Sequence, residues 1–106
     1  MSDFDIIISK KAESDLRNIY EYISFTLLVP NSAALLIRKI LSEIHSLSKM
    51  PNRYPVFEIS KKFPTTLRTT NVDNMIIFYS VDDDLHTVTV YRILYAGMDF
   101  DNIFSN

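Results

Sequence analysis

The sequence predicts an α+β fold: an N-terminal strand, an antiparallel helical hairpin, then a three-stranded antiparallel meander, giving a four-stranded sheet. Three observations predict it. Two consecutive segments between residues 10 and 50 carry apolar side chains at helical spacing. Three strand-like runs follow, Thr65–Val72, Met75–Val81 and Thr87–Tyr95. Near the start, Phe4-Asp5-Ile6-Ile7-Ile8 is β-branched and too short for a helix.

Ser9 is placed to cap the first helix. Ala12, Leu16, Ile19, Tyr20 and Ile23 then share one helical face, with Arg17, Asn18, Glu21 and Ser24 mostly opposite. Pro30-Asn31-Ser32 ends this helix and opens a second, whose stripe is Ala33, Ile37, Ile40, Leu41, Ile44 and Leu47. Met50-Pro51 stops it, because the residue before a proline is steered away from helical backbone. A short connection between two amphipathic helices makes them an antiparallel pair. Pro51, Pro55 and Pro64 punctuate a loop of about a dozen residues. The meander turns at Asp73-Asn74 and Asp82-Asp83-Asp84, residues that tolerate left-handed backbone where glycine is nearly absent; Gly97 is the only one.

At 106 residues the chain holds one domain, 1–106, with no linker or internal repeat. An apolar content of 47% against 23% charged residues excludes disorder. The absence of cysteine excludes a disulfide framework and a thiolate zinc site, and fits a cytoplasmic location. The N-terminus carries acids where a secretory signal needs bases, and no apolar run is long enough to span a bilayer. His45 and His86 are too few for a histidine metal centre, and Asp82-Asp83-Asp84 lacks the alternating ligands and glycine bend of a calcium loop. Neither metal nor cofactor is expected.

The net charge of −2 is unevenly spread. Lys49, Arg53, Lys61, Lys62 and Arg68 fall in one stretch opposed only by Glu58, whereas Arg92 is the one base after residue 68. Such a cluster either meets phosphates or is a solvated loop. A pI near 5.6 argues against tight, purely electrostatic binding of nucleic acid.

Strand alternation carries a functional inference. Met75, Ile77, Tyr79 and Val81 are apolar on one face, Ile76 and Phe78 on the other. In the last strand Val88, Val90, Arg92 and Leu94 lie opposite Tyr91, Ile93 and Tyr95. Strands apolar on both faces expect cover on both, and two helices cover only one. The second face either takes the C-terminal Phe100, Ile103 and Phe104 or receives a partner; a partner is the expectation. Arg92 among apolar neighbours must pair or line a groove, with Asp99, the C-terminal carbonyls or a strand edge as its structural partner. Tyr79 and Tyr95 either stack on a base or pack.

This order of elements resembles the RelE/ParE superfamily of bacterial toxins. The resembling residues are Ile8-Ser9 with Ala12, Asp15-Leu16 and Ile19-Tyr20; Leu47 with Met50-Pro51; Leu67-Arg68; Val72-Asp73-Asn74 leading into Phe78-Tyr79-Ser80-Val81-Asp82; and Thr87 to Tyr95 followed by Asp99. The resemblance implies a growth-inhibiting toxin of a type II toxin–antitoxin system, neutralised by a cognate antitoxin whose extended segment wraps it. RelE-like members cut messenger RNA on the ribosome without metal; ParE-like members block DNA gyrase. On a nuclease reading Arg68, Arg92 and Tyr79 are the candidate catalytic residues, with Lys61, Lys62 and Tyr95 contacting phosphate or target. Tyr91, Arg92, Ile76 and Phe78 are the candidate antitoxin contacts. The chain departs from the nuclease pattern at Ile76, where an arginine is expected, and between Tyr95 and Met98, which hold neither arginine nor histidine. Enzyme activity therefore stays open, and an alternative is a binding module that keeps only antitoxin recognition.

Overall fold

The computed structural model describes residues 3–58 and 63–104. Its strands are β1 (Asp5–Ile8), β2 (Val56–Phe57), β3 (Leu67–Val72), β4 (Met75–Asp82) and β5 (Thr87–Tyr95). Its α-helices are α1 (Lys10–Glu21), α2 (Pro30–Ser46) and α3 (Phe100–Phe104). The strands form one sheet in the order β1-β5-β4-β3-β2, with β1 parallel to β5 and the remaining neighbours antiparallel. The meander, the helical hairpin and the N-terminal strand stand where the sequence places them. The sheet gains a fifth strand from the proline loop, because Val56 and Phe57 pair with Arg68 and Leu67. Two residues are too short to carry a periodic signal.

Ser9 caps α1, its hydroxyl oxygen accepting the Ala12 N–H at 3.1 Å. After Glu21 the helix widens into a π-helical turn, Tyr22–Thr26, and Leu28 takes a left-handed φ of 59° before Pro30 opens α2. Ala12, Ile19, Ile40, Ile44 and Leu47 bury their side chains against Met75, Ile77, Tyr79, Val88, Val90 and Ile93. Tyr20 and Leu41, assigned to the stripes, sit at the rim and stay exposed. In the turns Asp73 and His86 adopt left-handed backbone, and Asp82 accepts the Leu85 N–H at 2.9 Å. His86 also stacks on Phe4, ring centroids 3.7 Å apart.

Two expectations are corrected. The second sheet face is covered by the chain itself: α3 lays Phe104 on Leu67, Phe78 and Leu94, with Phe57, Phe63, Ile76, Tyr91, Phe100 and Ile103 around them. The tail covers most of this face with aromatic rings, and Ile76 and Tyr91 stay partly exposed at its rim. The second correction concerns β5. Phe78 pairs with Arg92 but Tyr79 pairs with Val90, so Tyr91 is an extra residue and the register shifts there. Such a bulge reverses the phase of every side chain beyond it. Val88 and Val90 face the helices as expected, yet so do Ile93 and Tyr95, while Leu94 turns to the α3 side. Among the described residues no helix is long and apolar enough to cross a membrane.

Candidate functional site

β1 stops at Ile8, opposite Val90, while β5 runs on to Tyr95. The β5 edge beyond that point has no strand beside it, and its polar backbone needs other partners. The first turns of α1 supply them. The Ser9 hydroxyl donates to the Tyr91 carbonyl at 3.0 Å, and the Ile93 N–H donates to an Asp15 carboxylate oxygen at 2.9 Å. Arg92 Nε and Nη2 donate to the two oxygens of Asp15 at 2.8 and 2.9 Å, a bidentate pair. The hydrogen bonds to Asp15 raise the Arg92 pKa above its ordinary value; desolvation opposes them and Coulombic attraction adds to them. The structural partner of Arg92 is thus Asp15, not Asp99, whose carboxylate accepts the Asn102 N–H at the start of α3.

Asp15 has no role in the sequence reading beyond its place in the resemblance, although its signal was present. It stands three residues after Ala12 and four before Ile19, on the buried face of an amphipathic helix, and only 8% of it is exposed. A buried carboxylate at such a position requires a cation or N–H groups.

The other candidate residues lie elsewhere. Arg68 and Tyr79 are cross-strand neighbours beneath the helices. Arg68 Nη1 donates to the Tyr54 carbonyl at 2.6 Å, and the Arg53 guanidinium lies 4.6 Å from the Tyr54 ring centre. Tyr79 is fully buried and its hydroxyl donates to the Pro51 carbonyl at 2.7 Å. Burial pushes its phenol up to about 12, against the opposing pull of the Arg68 and Arg53 charges. A ring enclosed in this way is not open to stacking by a base. Glu43 faces the same region and accepts the Thr70 hydroxyl at 2.7 Å.

Tyr95 lies on the helix side, its phenol raised mainly by burial and then by Tyr22. Tyr91, Ile76 and Phe78 lie on the opposite face; Phe78 is fully buried there, and Tyr91 meets Phe63 edge-to-face at 5.9 Å. Lys61 and Lys62 fall outside the described residues. The structure therefore brings Arg68 and Tyr79 together, sets Arg92 at the far edge of β5, and puts the candidate antitoxin contacts Ile76, Phe78 and Tyr91 on one aromatic face. Among the described residues no group of three His, Asp or Glu side chains is close enough to hold a metal ion.

A strand, a helical hairpin and an antiparallel meander closed by a parallel N-terminal strand make a RelE/ParE-type toxin fold. The family model described as ParE toxin of type II toxin–antitoxin system, parDE, matches residues 6–100. The chain belongs to this family. Among solved structures it is similar to the chromosomal ParDE toxin–antitoxin system from P. aeruginosa, with 19% identity, a TM-score of 0.68, and coverage of 87% of this chain and 95% of that one. It is also similar to the archaeal RelE–RelB complex from Pyrococcus horikoshii OT3, with 14% identity, a TM-score of 0.61, and coverage of 90% and 97%. A third similar structure is a mutant of E. coli toxin RelE in the free state, with 10% identity, a TM-score of 0.64, and coverage of 97% and 94%. A search of curated proteins finds no significant match.

Proposed function

We propose that residues 1–106 act in the cytoplasm as one toxin domain that arrests growth by blocking DNA gyrase, and that a cognate antitoxin neutralises it. The observation carrying the choice of target is that Arg68, Tyr79 and Arg92, which RNA cleavage would use, are each already engaged in contacts of the fold. Attack by a 2′-hydroxyl needs a base, an acid and cations around one phosphate. Here Arg68 is bound to a backbone carbonyl, Tyr79 is enclosed in the core, and Arg92 is held by Asp15. Each makes a contact that supports the fold, which favours a toxin acting through its surface over one acting through a phosphate-binding cleft. The antitoxin takes the aromatic face, where Ile76 and Tyr91 are half-buried beside a five-residue helix. Phe78 itself is covered by α3 and stays out of the antitoxin's reach.

The test is induced expression in a bacterial host, with labelled precursors followed separately into DNA and protein and purified gyrase assayed for supercoiling. Early loss of DNA synthesis with gyrase inhibition is expected, together with rescue by the neighbouring small open reading frame. Early loss of protein synthesis with codon-linked message cleavage replaces the gyrase reading with the nuclease one. Binding of a partner without growth arrest in any host replaces both with a module that only binds the antitoxin.

A further inference from the structure

Between the start of α1, the bulge of β5 and α3 lies a cavity of about 220 Å³. Phe63, Tyr91 and Phe104 line its apolar side, and Lys10, Lys11 and Arg92 line its polar side. The bulge borders this cavity, and its extra residue Tyr91 is turned away from the helices and toward α3. The charges on the polar side are not equally satisfied. Arg92 is answered by Asp15, whereas Lys10 and Lys11 are exposed and have no ion pair among the described residues. Two unneutralised ammonium groups beside an aromatic wall favour a ligand carrying a carboxylate next to an apolar group.

We propose that this cavity is a peptide-recognition pocket that takes one apolar side chain, with flanking acidic residues on Lys10 and Lys11. Its volume is below the roughly 300–1,000 Å³ of sites that enclose a whole small molecule, and suits a single side chain. The rings also favour a peptide over a nucleotide. Phe63 meets Tyr91 at 88° and Phe104 at 85°, so these pairs form edge-to-face corners and not the parallel slot that sandwiches a flat base. The occupant is an acidic–apolar segment of the antitoxin, an assignment that rests on the toxin–antitoxin reading.

The experiment is an NMR titration of the full chain with acetyl-Glu-Leu-Glu-amide, using acetyl-Gln-Leu-Gln-amide and adenosine monophosphate as controls. Saturable shifts are expected at the amides of Lys10, Lys11, Tyr91 and Phe104. Binding should weaken about threefold or more for the glutamine peptide, and likewise for the acidic peptide with the Lys10→Gln/Lys11→Gln variant. That variant should keep the remainder of its spectrum. Shifts elsewhere, equal binding of the two peptides, or stronger binding of adenosine monophosphate at these amides would overturn the pocket. Growth arrest is scored separately. Peptide binding without arrest supports the pocket and overturns the toxin reading in favour of a module that only binds the antitoxin, and arrest without peptide binding overturns the pocket while leaving the toxin reading.

Discussion

The two faces of one sheet are closed by opposite means. On one, two long helices spread aliphatic side chains over Met75, Ile77, Val88 and Val90. On the other, a five-residue helix and a loop cover the sheet with phenylalanines, whose ring centroids lie 4.9–5.8 Å apart. A short element brings few side chains, so each must cover a large area, and an aromatic ring buries about 150–250 Å². A helix of five residues is far below the roughly 12–15 residues at which isolated helices become even marginal, so α3 exists only while it is docked. The helix face should therefore fail as a whole and the aromatic face locally.

The largest expected effect breaks the helix face. Ile40→Ala empties a fully buried site and should cost about 3–4 kcal/mol in chemical denaturation, with one global transition. A two-state loss confined to α2 would contradict a single helix-side core. The edge where the faces meet comes next. Asp15→Ala removes both the Arg92 partner and the Ile93 cap and should cost about 3 kcal/mol, against about 2 for Arg92→Ala. A double-mutant cycle should return a coupling of about 1–2 kcal/mol; additivity would show that the pair is incidental.

Phe104→Ala should cost less, about 1–2 kcal/mol, because the loss is capped by the docking energy of α3. Its signature is faster hydrogen exchange at Leu67, Phe78 and Leu94 while Ile77 and Val88 keep their protection. Uniform acceleration would erase the contrast between the faces. Tyr79→Phe should cost about 1 kcal/mol at neutral pH through the lost bond to Pro51. The native phenol titrates near 12 and an unfolded one near 10, so the unfolded chain holds fewer protons between those values and stability falls as pH rises through them. The Tyr79 contribution to that fall approaches about 1.4 kcal/mol per pH unit, and the fall should be smaller by that amount in Tyr79→Phe denaturation curves. Smallest is Lys39→Ala, which breaks an exposed 3.5 Å pair with Asp73 and should shift stability by under about 0.5 kcal/mol.

The contrast between the faces also marks what the sequence could reveal. Helical stripes and strand alternation are local, so the hairpin, the meander and the two-sided character of Met75 to Val81 were legible residue by residue. The bulge at Tyr91 was not, since one unpaired residue leaves the run Thr87–Tyr95 just as strand-like while exchanging the faces of Ile93 and Leu94. For the same reason alternation places Tyr95 opposite Val90, whereas the structure packs both on the helix side. Of the candidate site, the importance of Arg92 was readable from a charge among apolar neighbours, but its partner lies 77 positions away on another element. The enclosure of Tyr79 depends on the Pro51 carbonyl, contributed by a loop whose path no periodic pattern sets.

The parallel pairing of β1 with β5 has a consequence in time. Asp5 to Ile8 are synthesised about eighty residues ahead of their sheet neighbours, Thr87 to Val90. Ser9 and Asp15 likewise wait for Tyr91, Arg92 and Ile93. The hairpins of β3, β4 and β5 close over short loops, whereas β1 and the start of α1 must bridge about eighty residues, the costlier step in loop entropy. A nascent chain halted before Thr87 thus has both helices and most of its meander but nothing to dock its first strand against. Assembly is gated by its final clamp, and the cavity that this clamp borders does not exist until the clamp has closed.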